Sequence, residues 1–195
     1  MGRPPQHTTD DFLDAAVRIF AAQGVAGVTM SAVAREVGAP SGSIYHRFPG
    51  RPALLAAVWL RTLTGFQQGY LEALDREPPV EAAIEAAAQV VRWCRVHPAE
   101  GKLLYEGNRA LGVDDWSPDD RARADAANHL LEAAITKVVR RLRPLTGRST
   151  DELMLALVDL PYAAVRRHLD RGEAPPPRTV DLVTRTTRTL LSDSR

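Results

Sequence analysis

The sequence predicts an all-α protein, and three observations carry that prediction. The chain has 195 residues, and 45% of them are hydrophobic, while aromatics make up only 6%. The apolar residues are chiefly Ala, Leu and Val, and Ala and Leu favour helices. No sustained period-two alternation of Val, Ile and Thr argues for a sheet. Apolar residues recur instead at helical spacing, between Ser, Thr, Pro and Gly residues that suit helix starts and stops. That apolar content suffices for a core and argues against wholesale disorder.

Residues 1 to 8 read as a flexible arm. A first helix starts near Thr9, with Asp10 and Asp11 in its first turn, where carboxylates oppose the positive helix end. Phe12, Ala16, Ile19 and Phe20 form its inner stripe, and Gly24 ends it. Thr29 caps a second helix whose Val33, Ala34 and Val37 face inward. Gly38 makes the turn, because positive φ costs glycine little. Pro40 or Ser41 opens a third helix running to about His46, with Ile44 inward. Gly50 and Pro52 punctuate the start of a fourth, from Arg51 to about Leu74.

Pro78-Pro79 breaks the chain, and an Ala-rich helix over 80 to 97 stops at His97-Pro98. A shorter helix covers roughly 99 to 110. Ser117-Pro118-Asp119-Asp120 is a helix-start signature. The helix it opens runs to about Leu142, where Pro144 and Gly147 end it. Ser149 caps the next, to about Arg171, with Pro161 inside it as a kink. Pro175-Pro176-Pro177 stiffens a connector to a last helix over 178 to 191, giving about nine helices in all.

Net charge is +1, so bulk electrostatics do not announce a nucleic-acid partner; a local basic face is what counts. Residues 37 to 51 hold His46, Arg47 and Arg51 and no acid. The single cysteine, Cys94, excludes an intramolecular disulfide and any multi-cysteine metal site. No secretory leader is visible and no apolar run is long enough for a membrane span, so a cytoplasmic protein with no membrane partner is expected. The five histidines lack metal-ligand spacing, and no phosphate-cradling glycine loop or nucleophile elbow occurs. No cofactor and no catalytic residue are expected. Cys94 and His97 sit three apart on one helix as a candidate nucleophilic pair, but a buried structural thiol is the commoner reading by far.

Residues 29 to 55 carry the functional signal. Two short helices joined by a glycine turn make a helix-turn-helix, whose second helix enters a major groove about 12 Å wide. Ser41, Gly42 and Ser43 are small enough for close approach, and the serine hydroxyls suit phosphates or base edges. Tyr45 and His46 lie one turn on, within reach of phosphate or a thymine methyl. Arg51 at a helix N-terminus stands beside free backbone N–H groups and suits a phosphate. Thr29 and Ser31 face the opposite strand's backbone, and Arg3 is a further candidate on the arm. Plain three-helix packing produces the same shape without DNA, and on that reading Ser41 is only a cap.

The segments Ala15-Ala16-Val17-Arg18-Ile19-Phe20-Ala21-Ala22-Gln23-Gly24, Val28-Thr29-Met30-Ser31-Ala32-Val33-Ala34 and Val37-Gly38-Ala39-Pro40-Ser41-Gly42-Ser43-Ile44-Tyr45-His46-Arg47-Phe48, with Arg51 and Leu54-Leu55, resemble the TetR family of bacterial transcriptional regulators. The resemblance covers roughly residues 9 to 56. Arg51-Pro52 departs from the Lys-acid pair of many relatives but keeps the charge. The resemblance implies a DNA-binding domain over 1–50 and a ligand-binding and dimerisation domain over 51–195. It implies a homodimeric repressor on a palindromic operator of double-stranded DNA, released by a small-molecule effector. The alternative is a helical small-molecule-binding or interaction protein whose helix-turn-helix no longer reads DNA.

By the same resemblance, the helices from the fourth to the seventh enclose the effector. Trp59, Phe66 and Tyr70 share a face of the fourth; Trp93, Cys94, Leu103, Tyr105 and Trp116 follow on later segments, and ordinary core packing is the commoner reading of each of them. Few charges fall on these faces, which favours a mostly uncharged, apolar effector. Leu153, Leu157, Leu160 and Ala164 on the eighth helix, with Val183 and Leu190 on the ninth, are the candidate dimer face.

Overall fold

A computed structural model describes residues 7–192, and all regular structure among them is helical. The expectation for Arg3 lies outside the described residues. The chain divides into two compact units. One holds the residues up to Thr62 together with Lys102–Ala124; the other holds Leu63–Gly101 and the chain from Asp125 onward.

In the first unit, α1 (Thr9–Gly27) opens on a capping box. Thr8 Oγ1 accepts from Asp11 N at 3.2 Å and Asp11 Oδ2 accepts from Thr8 N at 2.6 Å, so two otherwise orphaned donors are satisfied reciprocally. Phe12, Ala16, Ile19 and Phe20 are buried along the expected stripe. Gly24, at φ 68°, interrupts the helical backbone before Gly27. α2 (Met30–Val37) is capped by Thr29, whose hydroxyl accepts from Ala32 N at 3.1 Å, and it ends on Gly38 in the left-handed region. Val33, Ala34, Ile44, Phe48, Leu54 and Leu55 complete this core.

The third element differs from its expectation. In place of an α-helix to His46, residues 41–43 form a turn and Ile44–His46 one 3₁₀ turn. The cause is local. Gly42 is a poor helix former, and Ser43 Oγ donates to Pro40 O at 2.8 Å while its N–H donates to the same carbonyl at 2.9 Å. These i→i+3 bonds tighten the backbone and compete with α-helical pairing.

α3 (Arg51–Leu74) follows and supplies residues to both units. The later part of the first unit contains most of α5 (Pro98–Ala110), which Gly107 interrupts at φ 80°, and the start of α6 (Pro118–Thr146). Trp116 is buried there, its indole donating to Leu111 O at 3.2 Å. α6 passes through Pro144 and stops only at Gly147, φ 68°. Proline removes a single hydrogen bond in the last turn, where Arg140 is solvent-exposed and water can take its place.

In the second unit, α4 (Pro79–Val96) packs its alanines, Ala82, Ala83, Ala86 and Ala87, against α9 (Pro177–Leu191). α9 turns Thr179, Val183, Thr187 and Leu191 inward. Arg188 of α9 grips both carboxylate oxygens of Glu81 on α4, at 2.6 and 2.9 Å. Between α6 and α9 the single helix expected over 150 to 171 resolves into three parts. They are α7 (Thr150–Met154), a π-helical turn Leu155–Asp159, and α8 (Leu160–Leu169). Pro161 explains the π turn, since it has no N–H for the Leu157 carbonyl; Tyr70 on α3 donates its hydroxyl to that carbonyl at 3.1 Å instead. The core here gathers Tyr70, Leu74, Ile84, Val138, Leu142, Leu153 and Leu157.

Candidate functional site

The reading turn is a small exposed platform on a fixed base. Ile44 and Phe48 are fully packed beneath it. Arg47 pins its far side: the guanidinium donates to His7 O and lies 5.2 Å over the Phe12 ring. Above that base Ser41, Gly42, Tyr45 and His46 are exposed and Ser43 is half-buried. Tyr45 is 58% exposed, so more than half of its surface is open to a partner. Thr29 and Ser31 are also exposed, with their hydroxyls 3.3 Å apart. Thr29 already serves as a cap, which leaves Ser31 the freer hydroxyl.

Arg51 is placed differently from the phosphate contact expected of it. Its Nε donates to Val28 O and one terminal nitrogen to Val25 O, both at 2.7 Å. Those carbonyls sit beyond the Gly24 break at the end of α1, where Val25 O also accepts from Val28 N at 3.1 Å. The side chain therefore ties the start of α3 to the end of α1, and only its remaining nitrogen is left for an outside anion.

The residues expected around an effector fall into two groups. In the second unit, Phe66 stacks on Tyr70 at 5.7 Å and meets Trp93 edge-on at 5.3 Å, and Trp93 lies 5.2 Å from His97. Phe66 and Trp93 are half-buried. Cys94 is buried beside them in sequence, and burial pushes its thiol up to about 12. A thiol with that value forms almost no thiolate at neutral pH, which removes the nucleophile reading of Cys94 and His97. Trp59, Leu103, Tyr105 and Trp116 belong to the first unit. There Trp116 lines a cleft of about 610 Å³ with Phe48, Pro52, Ala57, Leu60 and Asp120.

On the candidate dimer face, Leu153, Leu157 and Val183 are fully buried within their own unit. They support a face from behind and leave none of their surface to a partner, a correction to their expected role. Leu160, Ala164 and Leu190 are half-buried. Leu155, Tyr162 and Leu182 are the large apolar residues that stay exposed on these last elements. Sequence reading missed Leu155 and Tyr162 because the π turn at Leu155–Asp159 shifts which positions of that helix face outward.

Residues 12–58 match the family model of bacterial regulatory proteins, tetR family. Over those residues the chain is a TetR-family segment. The transcriptional regulator SrpR of Pseudomonas putida is 28% identical over 108 residues, 55% of this chain and 51% of that one. The regulator AcrR of Shigella flexneri is 33% identical over 106 residues, 54% of this chain and 46% of that one. The chain thus spans about half the length of these two curated relatives. In fold, it is similar to the TetR-family regulator PfmR of Thermus thermophilus, with a TM-score of 0.73 at 19% identity over 94% of this chain and 98% of the other. The family match includes the whole reading turn and Arg51, and the fold likeness extends through the later helices.

Proposed function

We propose that this chain is a DNA-binding transcriptional regulator, acting as a homodimeric repressor that a small-molecule effector releases from a palindromic operator. The observation that carries the reading is the exposed Tyr45 beside Ser41, Gly42 and His46, on a turn whose base is immobilised by Ile44, Phe48 and Arg47. Small hydroxyls allow close approach to a groove, and the aromatic ring supplies a contact to phosphate or a thymine methyl. Ser31 and Ser43 add hydroxyls at the margin. The relatives matched are named as transcriptional regulators, which supports the same reading and argues against an enzyme. No helix among the described residues is long and apolar enough to cross a membrane, which suits action in the cytoplasm.

A functional division into a reading part, 1–50, and an effector and dimer part, 51–195, fits this role. A palindromic operator needs two reading turns about 34–36 Å apart, one turn of DNA. Leu155, Tyr162 and Leu182, with the half-buried Leu160, Ala164 and Leu190, are the residues we assign to the two-fold contact. The effector is mostly apolar and engages the Phe66–Tyr70–Trp93 aromatics. It shifts the population toward the form that binds DNA poorly, by no more than its difference in affinity for the two forms. α3 is the element suited to carry that shift, since Arg51 at its start holds the backbone next to α2.

Fluorescence anisotropy against the intergenic duplex beside the protein's own gene tests the proposal, with a scrambled duplex as control. Saturable binding at least two orders of magnitude tighter than to the scramble, falling steeply with salt, is the expected result. Equal weak binding to both duplexes, and to DNA selected from the whole genome, overturns it in favour of a ligand-binding protein that no longer reads DNA.

A further inference from the structure

Most arginines of the helix-turn-helix and its flanking helices are engaged inside the protein. Between His7 and Thr62 the basic side chains other than histidine are Arg18, Arg35, Arg47, Arg51 and Arg61, and the acids are Asp10, Asp11, Asp14 and Glu36. Arg18 pairs with Glu36 at 3.1 Å. Arg61 holds Asp14 at 2.7 Å and Asp10 at 3.5 Å. Arg47 donates to His7 O, and Arg51 donates to the carbonyls of Val28 and Val25. Arg35 is the exception. It is exposed, and among the described residues its guanidinium makes neither a hydrogen bond nor an ion pair. Its direction is set by α2. Val33 and Ala34 face inward, and Glu36 turns toward Arg18 of α1. Residues four apart are neighbours on a helix surface, so Arg35 shares its exposed side with Ser31. The Ser31 hydroxyl lies 3.3 Å from that of Thr29, the cap of α2.

We infer that Arg35 is a phosphate contact of this helix-turn-helix, gripping the DNA backbone beside Ser31. The first helix of such a motif crosses the backbone while the second enters the groove, so the Ser31–Arg35 side of α2 is the side that meets phosphate. A guanidinium presents its N–H groups in a planar fork that matches two phosphate oxygens. An arginine already paired with an acid brings no net charge to the duplex, whereas Arg35 brings a whole one. It takes the part that sequence reading gave to Arg51, whose side chain is committed to α1. The contact carries no base information; it sets affinity and register. Arg35 also stands in the last turn of α2, where a cation suits the negative helix end. That effect stabilises the fold and leaves the salt dependence of DNA binding unchanged, which separates the two roles. The inference rests on the DNA-binding reading and names the charge on which that binding draws.

The test is anisotropy of the full chain on the intergenic duplex and on the scrambled one, with salt varied from about 50 to about 200 mM. Wild type is compared with Arg35→Gln, which keeps a good helix former and removes the charge, and with Arg35→Lys, which keeps the charge. Binding should fall less steeply with salt in Arg35→Gln, the slope of log affinity against log salt shrinking by about 0.9. The loss should be the same on both duplexes, so that the ratio between them is unchanged. Arg35→Lys should restore the slope, and the melting temperature of both variants should stay at the wild-type value. A wild-type slope in Arg35→Gln overturns the contact. So does a loss confined to the intergenic duplex, which would make Arg35 a reader of bases, or a slope in Arg35→Lys as shallow as in Arg35→Gln. The two readings fail differently. Wild type that binds neither duplex at low salt removes the DNA-binding reading and Arg35 with it; wild type that binds, with a variant of equal slope, removes Arg35 alone.

Discussion

Tyr45 and Arg51 are close in sequence and have opposite tasks. Tyr45 touches little of its own chain, so Tyr45→Ala should leave the thermal midpoint unchanged while weakening operator binding about tenfold or more, as read by anisotropy beside a melting curve. Arg51 spends two of its nitrogens on Val28 and Val25. Charge-assisted hydrogen bonds are worth more than neutral ones, so Arg51→Ala should cost about 2 kcal/mol of stability in urea unfolding. Its loss of DNA binding should follow from a loosened α1–α3 junction as much as from a lost charge. If Arg51→Ala unfolds at the wild-type urea concentration, the carbonyl grip carries no weight and the residue reverts to a plain phosphate contact. Sequence alone offered Arg51 only as a cation at a helix start, because nothing local reveals that the carbonyls of Val28 and Val25, 23 and 26 positions earlier, are within its reach.

At the scale of elements, the reading turn and the π turn show the same competition between local chemistry and helix. Ser43 and Gly42 favour tight i→i+3 bonding, and the third helix is cut to a 3₁₀ turn. Pro161 leaves the Leu157 carbonyl without its usual donor, and the backbone widens before it. The Tyr70 hydroxyl answers that carbonyl from α3, so Tyr70→Phe should cost about 1–2 kcal/mol although it removes only one oxygen. Denaturant unfolding measures the loss; a variant as stable as wild type would mean that the carbonyl finds another donor. The same π turn sets which side chains of α8 face outward. On α9 Leu182 is exposed although it is large and apolar, so Leu182→Glu should break the homodimer in sedimentation equilibrium while the monomer stays folded, and an unaffected dimer would place the two-fold contact elsewhere.

For the whole molecule, the ionisable groups give a sign to the pH dependence. Asp11 lies below the ordinary 3.8 because its carboxylate accepts from the Thr8 backbone. Glu81 lies below 4.5 through its hydrogen bond with Arg188, and Glu152 below 4.5 through the Ser149 backbone. In each case the unfolded chain takes up the proton first as pH falls. The contribution to stability is therefore complete above about pH 4.5 and is lost as pH drops through the depressed values. Glu81→Gln should flatten that acid limb in thermal melts between pH 5 and about pH 2.5, and an unchanged slope would show that the Arg188–Glu81 pair adds nothing.

The sequence by itself determined the all-α class, the starts and stops of most helices, and the position of the reading turn. Those are set by neighbours in the chain: the capping boxes at Thr8 and Ser149, the Thr29 cap, the Gly38 turn, and the apolar stripe of α1. Tertiary structure alone decided which stripe residues are spoken for. Leu153, Leu157 and Val183 look like interface leucines and valines in sequence, and only packing turns them inward. Tyr70 looks like a pocket aromatic, and only the fold brings it to the carbonyl that Pro161 leaves open. Caps and periodicity act over one or two turns of chain, whereas burial and long-range hydrogen bonds depend on segments that folding brings together, and those were not legible in the order of the residues.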